Sequence, residues 1–382
     1  MTTMVDSGAG MRHERHGPVL ALDLGGTQIR AAVVTEDAAI HARKARSTPV
    51  EEGPEAIVEA CRETLLESRD AFAGGTGGAL IGIAISSPGP IDPWRGVIVE
   101  PPNLGPAFRD IPLAERMEAA LGLPAYLDRD TQIAALGEGA FGAARDCADF
   151  LYVTVSSGVG GAIVSDGRLL VGPDGTAGEL GHFPVDFHGP PCGCGAPGHL
   201  EAFASGVAIA REARRRIGSG LAPDLEAYAR ELATKMRVGS GGRDGGPPEP
   251  VPELDAREVA EAEEAGVDTA REIMDEVRRA FAAAAVGWVD VFDPELIVVG
   301  GSIARGQGDR LLGPARDAIA QYAFRTPARR VRVVPAALGD DVSLVGGLVL
   351  VATRLGDARW RLGRPAFHAA TTSARAVSAS TR

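Results

Sequence analysis

The sequence predicts an α/β protein with more than one domain. Its 382 residues exceed the ~150 residues of a typical single domain, so two domains are expected. An apolar strand, a glycine turn and two further strands occur twice, near residues 20 and 150, which is a weak repeat at domain scale. Glycine is abundant at 50 residues, and aromatic residues make up only 5%. This composition is typical of α/β proteins with many tight turns rather than of β-sandwiches.

Charge and hydropathy exclude several classes of partner. The formal net charge is −12, whereas a protein that binds nucleic acid presents a basic surface. No apolar run approaches the ~20 residues that a membrane-spanning helix needs, and the first residues lack the apolar core of a signal peptide. Four cysteines, two of them in a candidate metal loop, favour a reducing compartment. We therefore expect a cytoplasmic protein with no nucleic-acid or membrane partner.

The first half of the chain alternates short apolar runs with helical patterns. The run Val19–Leu24 (VLALDL) leads into a glycine turn at 25–27 and predicts a strand followed by a tight turn. Ile57, Cys61 and Leu65 recur at helical spacing and predict a helix with one buried face. By the same criteria strands are expected over 29–34, 38–42, 80–85 and 125–127, and helices over 54–72, 112–121 and 132–141.

The second half starts in the same way and then becomes helical. Strands are predicted over 150–155, 159–164, 168–171, 296–299 and 331–334, and helices over 206–217, 223–236, 267–290 and 343–352, with one further helix between the last two strands. Residues 1–17 are expected to form a disordered extension, and 356–382 a polar tail. The Gly/Pro-rich stretch 238–252 is expected to be a flexible insertion.

Three apolar strands lead into glycine turns that carry hydroxyl side chains. The turns lie at Asp23–Thr27, Ser156–Gly161 and Val299–Ser302. Glycine lets backbone N–H groups approach a polyphosphate closely, and Ser or Thr adds further donors. One such turn is usually no more than a tight turn, but three in one chain indicate a phosphate site. The sequence contains neither a P-loop motif nor a dinucleotide-binding motif.

The stretch 178–205 holds a compact set of metal ligands. Cys192 and Cys194 are followed by His199, and either His182 or His188 can supply a fourth ligand. Thiolate and imidazole are ligands that zinc prefers, and four of them close a structural site. The glycines and prolines of 189–198 would leave the loop without fixed structure unless a metal held it. The alternative is a polar loop with free thiols and scattered histidines.

Six motifs occur in order along the chain, and together they resemble one family. They are Asp23-x-Gly-Gly-Thr27, Pro88-Gly-Pro90, Asp130, Ser157-Gly-Val-Gly-Gly161, Gly178-Glu-Leu-Gly-His182 and Cys192-x-Cys-Gly-x-x-Gly-His-Leu-Glu201. The chain resembles the ROK family of bacterial glucokinases, other hexose kinases and sugar-responsive repressors from about residue 19 to 355. The resemblance implies the actin-like ATPase (ribonuclease H-like) fold, with two α/β domains around a cleft that binds ATP and a sugar. It also implies a small domain of 18–128 with 340–355, and a large domain of 129–339 that carries the metal loop.

The resemblance assigns roles to individual residues and implies ATP- and Mg²⁺-dependent, glucokinase-like phosphorylation of the 6-hydroxyl of a hexose. Asp130 matches the general base, and Asp23 lies near the waters of Mg²⁺. The implied nucleotide residues are Gly25, Gly26 and Thr27 in the first turn, Ser157, Gly158, Gly160 and Gly161 in the second, and Gly300 and Gly301 beside the adenosine. The implied sugar residues are Asn103, Arg129, Glu179, His182 and Glu201. The implied structural Zn²⁺ ligands are His182, Cys192, Cys194 and His199.

Three positions depart from the family pattern. His199 stands where the family usually has Cys, and a Cys2His2 set binds zinc equally well. Ser156-Ser157 replaces the usual Gly-Thr of the second turn and keeps a hydroxyl. Arg129 stands where the family usually has an Asn that binds sugar hydroxyls, although Arg only donates and is permanently charged. Arg129 is therefore expected to pair with Asp128 or Asp130, or to face an anionic group.

Two alternatives to a kinase follow from the same resemblance. The first is a non-catalytic or weakly active sugar sensor, which the Arg129 departure favours. The second is a transcriptional regulator, which is disfavoured because only 18 residues precede the first strand, fewer than a DNA-binding domain needs. Relatives are commonly dimers, so a homodimer or higher homo-oligomer is expected.

Overall fold

The computed structural model describes residues 17–73, 78–239 and 251–357. The predicted extension before residue 17, most of the predicted insertion 238–252 and the predicted tail beyond residue 357 lie outside the described residues. The strands are β1 (Val19–Leu24), β2 (Gln28–Val34), β3 (Ile40–Ser47), β4 (Ile83–Ser87), β5 (Ile91–Asp92), β6 (Val97–Ile98), β7 (Ala125–Arg129), β8 (Phe150–Val155), β9 (Val159–Ser165), β10 (Arg168–Leu169), β11 (Leu296–Gly300) and β12 (Arg332–Pro335). The helices are α1 (Pro54–Ala73), α2 (Leu113–Leu121), α3 (Asp130–Phe141), α4 (Glu201–Ala204), α5 (Gly206–Gly218), α6 (Pro223–Gly239), α7 (Ala256–Glu264), α8 (Asp268–Phe292), α9 (Ser302–Gln307), α10 (Asp309–Tyr322), α11 (Arg325–Arg330) and α12 (Val342–Arg354).

Two five-stranded sheets share one topology. The first has the order β3-β2-β1-β4-β7 and the second the order β10-β9-β8-β11-β12. In the first, β1 is antiparallel to β2 and parallel to β4, and β4 is parallel to β7. In the second, β11 is parallel to both β8 and β12. The repeat predicted from the two glycine-turn patterns is therefore confirmed, and the α/β class with it.

The first strand is apolar throughout because both faces of its sheet are covered. Leu20 and Leu22 pack with Ile57 and Leu65 of α1 on one face. On the other face, Val19 and Ala21 lie in a core cluster with side chains of α3 and α12. Strands buried on both faces read as continuous hydrophobic runs rather than as alternating ones.

The chain divides into two compact units. The first contains the described residues of 1–148, 162–178 and 337–382, and the second those of 149–161 and 179–336. The sequence placed 129–339 in one domain, whereas α3 packs against α12 within the first unit. Glycines permit this close packing, because a Cβ at Gly346 would lie 1.9 Å from the carbonyl oxygen of Ile133 and one at Gly137 would lie 3.0 Å from that of Val342.

Several helices were not predicted from the sequence. The segment Ala256–Glu264 (AREVAEAEE) forms α7, although it has few large apolar residues and follows the Gly/Pro insertion. Its start is fixed by a capping box in which Asp255 and Glu258 bond reciprocally. One helix was predicted between β11 and β12, but the structure has α9, α10 and α11 there. Gly308, with φ of +52°, separates α9 from α10.

Among the described residues, no helix combines the length and the hydropathy that a membrane-spanning segment requires.

Candidate functional site

The first glycine turn is held in place by hydrogen bonds within the first unit. The Gly25 N–H donates to the carbonyl oxygen of Gln28 at 3.0 Å, and Thr48 Oγ1 donates to the carbonyl oxygen of Gly25 at 2.7 Å. Gly26 lies directly against Asn103, since a Cβ at Gly26 would be 2.7 Å from the Asn103 carbonyl oxygen. Asn103 is exposed. The structure thus brings Asn103 to the first turn, and a side chain at position 26 would displace it.

Asp23 ends its strand opposite a cation. In the β1–β2 register Asp23 faces Arg30, and Arg30 donates from Nε at 3.1 Å and from Nη2 at 2.5 Å to one oxygen of the Asp23 carboxylate. The Arg30 Nη1 donates to the carbonyl oxygen of Asp340 at 3.0 Å. Sequence reasoning missed Arg30, although its place across the hairpin could have been inferred from the two-residue period of β2.

A buried ion pair underlies the segment that precedes Asp130. Asp128 is fully buried, and its carboxylate is paired with Arg354, which is 3% exposed. Arg354 Nη1 also donates to the carbonyl oxygen of Leu127 at 3.1 Å. Burial lowers the pKa of Arg354, while the charge of Asp128 opposes that effect. The charge of the Asp128 carboxylate, one partner expected for Arg129, is therefore balanced by Arg354, which lies 226 residues later in the sequence on α12.

Arg129 is buried and bonds within the first unit. It is 4% exposed, and its Nη2 donates to the carbonyl oxygen of Ala177. Its Cδ lies close to Gly89, since a Cβ at position 89 would be 3.2 Å from it. Gln132 completes the arrangement, since its amide can donate to Asp128 while its oxygen accepts from Arg129 Nη2 at 2.9 Å. These contacts place the guanidinium beside the segment that leads to Gly178.

Asp130 is the first residue of α3, and it is exposed. Its Oδ1 accepts the N–H of Thr131 at 2.7 Å. A carboxylate in the first turn of a helix interacts favourably with the helix dipole. Asp130 is therefore both oriented by the backbone and accessible to solvent.

The second unit holds a cluster that fits a metal ion. One ligand atom each of His182, Cys192, Cys194 and His199 lies within 4.8 Å of the others. The two Nδ1 atoms are 3.2 Å apart, Cys194 Sγ is 3.3 Å from His199 Nδ1, and Cys192 Sγ is 3.7 Å from His182 Nδ1. A tetrahedral ion with bonds of about 2.0–2.3 Å has edges of about 3.3–3.8 Å. His188 lies outside the cluster; it is exposed, with its ring 5.7 Å from Phe187.

Burial and charge set the protonation of the side chains in this cluster. Burial raises the pKa of the Cys192 thiol to about 11, and nearby Glu201 acts in the same direction. Burial and the neighbouring His182 lower the pKa of His199. Without a cation the thiol stays protonated and the imidazole neutral. A metal ion reverses the balance at the thiol, because a coordinated thiol is deprotonated.

Two contacts join the metal loop to α5 and to the second glycine turn. Arg211 of α5 donates from Nη1 to the carbonyl oxygen of Pro191 at 3.1 Å and from Nη2 to that of Ala202 at 2.8 Å. Glu201 Oε2 accepts the N–H of Val159 at 3.0 Å, and its Oε1 lies 3.7 Å from Cys192 Sγ. Glu201 thus links the metal cluster to the turn. Glu179, the other acidic residue predicted to bind sugar, is exposed at the start of the loop.

A third contact anchors the loop on α8. The ring of Phe183, the residue after His182, lies 6.4 Å from that of Trp288. A Cβ at Gly287 would be 2.5 Å from the Phe183 ring, so glycine is needed there. The imidazole of His182 is therefore positioned from both sides, by the cluster and by this aromatic contact.

A pocket of about 690 Å³ adjoins the second glycine turn. Ser156 of the turn is fixed by Gly206, whose N–H donates to its carbonyl oxygen at 2.8 Å, and by Ser302, whose Oγ lies 2.9 Å from its own. The pocket lies among α5, α7, α8 and α9, and its lining is mostly apolar. The lining residues are Ser156, Ser157, Gly206, Val207, Ala210, Asp255, Ala256, Arg257, Ala260, Met274, Ser302, Ile303, Gly306 and Gln307.

Gly300 and Gly301, which were predicted to lie beside the adenosine, do not line this pocket. Their lack of a side chain instead allows close packing. Gly301 has φ of +95°, and a Cβ there would lie 2.3 Å from the carbonyl oxygen of Val155. A Cβ at Gly300 would lie 2.7 Å from Tyr152 Oη. They let β11 approach β8 closely, and Ser302, the next residue, reaches the pocket. Among the residues of the second turn, Ser157 lines the pocket. A Cβ at Gly158 would contact the Glu201 side chain, and a Cβ at Gly161 would contact the Leu180 side chain.

Comparison with known proteins agrees with the resemblance seen in the motifs. The model of the ROK family matches residues 19–354. A glucokinase from Thermotoga maritima is 33% identical over 338 residues, which cover 88% of this chain and 98% of that protein. The crystal structure of a ROK hexokinase from Thermus thermophilus has 31% identity and a TM-score of 0.69, over 87% of this chain and 97% of that one. A ROK family glucokinase from Streptomyces griseus, solved in complex with glucose and AMPPNP, has 29% identity and a TM-score of 0.67, over 87% and 98%. The actin-like ATPase fold is thereby confirmed.

Proposed function

The chain belongs to the ROK family, and on that premise we propose that it is an ATP-dependent hexose kinase that phosphorylates the 6-hydroxyl of a glucose-like sugar. The observation that carries the proposal is the pocket beside the second glycine turn, which is large enough for a nucleoside and opens beside backbone N–H groups suited to phosphates. The glucokinases from Thermotoga maritima and Streptomyces griseus, to which the chain is similar over nearly their whole length, support the same activity.

The nucleotide residues fall into two groups. In the second unit, Ser157, Gly158, Gly160 and Gly161 form the turn that would hold phosphates, and Gly300 and Gly301 shape the backbone beside the pocket. In the first unit, Gly25, Gly26 and Thr27 would form the other phosphate turn. Mg²⁺, which the ATP of kinases carries, neutralises charge on the phosphoryl oxygens. Asp23 is the carboxylate proposed to face its waters, and the contact with Arg30 holds that carboxylate in one orientation.

Asp130 is the proposed general base. Its carboxylate accepts the proton of the sugar 6-hydroxyl while the hydroxyl oxygen attacks the γ-phosphorus of ATP. The bond from the γ-phosphorus to the bridging oxygen breaks, and ADP leaves with that oxygen. Backbone N–H groups of the glycine turns stabilise the charge that develops on the phosphoryl oxygens. The exposed position of Asp130 at the start of α3 suits this role.

We propose that the metal of the His/Cys cluster is a structural Zn²⁺. The four side chains and their spacing suit zinc, and coordination through Nδ1 of His182 would leave its Nε2–H to donate to a sugar hydroxyl. Glu201, Glu179 and Asn103 are the other proposed sugar contacts. Arg129, whose contacts run to Ala177 and Gln132, is the position expected to shape the preference among sugars.

A coupled ADP-release assay tests the kinase proposal. The sugars are glucose, mannose, fructose, N-acetylglucosamine and N-acetylmannosamine, with ATP or polyphosphate as donor. We expect turnover with ATP and at least one hexose. No turnover with any pair, combined with sugar binding by calorimetry, would overturn the proposal and favour the non-catalytic sensor. The burial of Arg129 at the usual Asn position is the observation that keeps the sensor as second candidate.

Two further properties follow from the proposed function. A reducing compartment keeps Cys192 and Cys194 from forming disulfides, so that they stay available to a metal, and we therefore propose a cytoplasmic location. We also propose a homodimer or higher homo-oligomer, which light scattering coupled to size-exclusion chromatography would test directly.

A further inference from the structure

One polar side chain lies deep in the mostly apolar pocket of the second unit. Gln307, the last residue of α9, is 5% exposed and lines the pocket. The walls include Val207, Ala210 and Met274, which suit a flat aromatic ring. An apolar pocket usually fixes the orientation of its ligand through a few placed polar groups.

The orientation of the Gln307 amide is set by an arginine. Arg278 Nη2 donates to Gln307 Oε1 at 2.7 Å. Because Arg can only donate, the amide oxygen must face it, which places the amide NH2 on the other side. Arg278 is in turn held by Glu263 at 2.8 Å and by Asp275 at 2.8 Å, and the Glu263 side chain is only 4% exposed.

The amide nitrogen of this pocket-lining residue has no acceptor within the described protein and keeps some contact with solvent. Among the residues that the structure describes, no group accepts a hydrogen bond from Gln307 Nε2. Nε2 is not one of the described polar atoms that are fully buried without a partner. It therefore keeps some contact with solvent. The pocket therefore presents a donor of fixed direction and requires an acceptor on its ligand.

We propose that Gln307 recognises the adenine base of the nucleotide by donating from Nε2 to one ring nitrogen of the purine. Arg278 and Glu263 are positioning residues that hold this donor. Adenine fits the pocket on two counts, since its faces are flat and apolar and its ring nitrogens N1, N3 and N7 accept hydrogen bonds. The inference rests on the proposed ATP-dependent activity and adds to it the residue that selects the base.

Deaza analogues of the nucleotide test the contact atom by atom. Binding of ADP and of its 1-deaza, 3-deaza and 7-deaza analogues is measured by calorimetry on the full-length protein. We expect one analogue to bind about tenfold more weakly than ADP, because it lacks the accepting nitrogen. If wild-type protein binds ADP and all three analogues equally, the inference is overturned while the kinase proposal stands.

Variants of Gln307 then link that nitrogen to the amide. Gln307→Glu keeps an oxygen for Arg278 but replaces the donor with an acceptor, and Gln307→Leu removes both. We expect each variant to bind ADP about tenfold more weakly and to bind ADP and the sensitive analogue equally, with the KM for the hexose unchanged. Gln321→Glu, the same change at an exposed site on α10, is the matched control. A variant that folds and keeps the wild-type preference overturns the inference. Failure of wild-type protein to bind any adenine nucleotide overturns both this inference and the proposed function.

Discussion

The two sheets have the same strand order, but their carboxyl ends carry different chemistry. In the first sheet the strands lead to acidic groups, Asp23 at the end of β1 and Asp128 and Asp130 at β7. In the second sheet β8, the counterpart of β1, leads to Ser156, and β11, the counterpart of β4, leads to Gly301 and Ser302, which carry no charge. One topology thus provides a charged end suited to proton and metal-ion chemistry and a neutral end beside an apolar pocket. The two units therefore differ in the residues at and directly after their strand ends.

The two units also hold these ends by different means. The first relies on ion pairs, with Arg30 on Asp23 and Arg354 on Asp128. The second relies on the His/Cys cluster and on Arg211, which bonds to backbone on both sides of the loop. The difference follows from composition, because a loop rich in glycine and proline has little apolar surface with which to fix itself.

The largest expected effect comes from removing the charge at Asp130. Asp130→Asn is expected to lower kcat by about 10²–10⁴-fold, because the amide cannot accept the hydroxyl proton. Binding of ADP in the second unit should be unchanged, as steady-state kinetics and calorimetry would show. Asp146→Asn, at an exposed carboxylate of the same unit, is the matched control. A kcat within tenfold of wild type would show that the charged end of the first sheet does not supply the base.

The buried ion pair of the first unit gives the next largest effect. Arg354→Met leaves the Asp128 carboxylate buried without its cation, which is expected to cost about 3–5 kcal/mol in the free energy of unfolding. Urea unfolding measures this cost. Arg43→Met, which breaks the partly exposed pair with Asp341, should cost less than about 1 kcal/mol. Equal losses in the two variants would contradict the role given to burial, and adding Asp128→Asn to Arg354→Met should recover part of the loss.

The His/Cys cluster, with its proposed Zn²⁺, is the counterpart of that ion pair in the second unit. A four-ligand zinc site contributes about 10–16 kcal/mol, so one ligand accounts for about 3 kcal/mol, or a hundredfold in affinity. Cys192→Ser should therefore lose its zinc to a chelator at about a hundredfold lower concentration than wild type, as metal analysis would show. Cys147→Ser, at a buried cysteine of the first unit, should retain the metal. Loss of zinc from both variants, or from neither, would argue against the ligand set.

The sequence predicted the features that are encoded locally. Apolar runs before the glycine turns predicted β1 and β8, and apolar runs after them predicted β2 and β9, because strands buried on both faces are hydrophobic at nearly every position. Cys192, Cys194 and His199 were predicted because they lie within a short stretch, which left His182 and His188 as alternatives for the fourth position until the family resemblance favoured His182. The helix α7 was missed because its buried face, which includes Val259 and Ala262, carries only one large apolar residue.

The contacts that orient the site residues could not be predicted from the sequence, for a different reason. Arg354 meets Asp128 across 226 residues, and Arg278 meets Gln307 across 29. A lone arginine on a helix is most often a solvated side chain, so neither pairing leaves a trace in local pattern. Arg129 also has a distant contact of this kind, since its Nη2 donates to the carbonyl oxygen of Ala177, 48 residues along the chain.

The smallest expected effect separates the metal from the protein contacts that support its loop. Arg211 touches no metal ligand; it bonds to the carbonyl oxygens of Pro191 and Ala202, each next to a residue of the site. Arg211→Ala should weaken zinc retention by about tenfold, at the low end of the range for residues that support metal ligands. Arg211→Lys should recover part of this, since an ammonium can reach one carbonyl.

Zinc release in a chelator titration measures the effect of Arg211. Arg215→Ala is the control, because Arg215 lies on the same helix and pairs with the partly exposed Glu212. If Arg211→Ala holds zinc as tightly as Arg215→Ala, the cluster alone fixes the loop, and the second unit depends on its metal even more than the first depends on its ion pairs. If Arg211→Ala instead releases zinc as readily as Cys192→Ser, the loop needs the arginine to assemble the ligands at all. A tenfold effect lies between these limits and would mean that the helix positions a loop that the metal then closes.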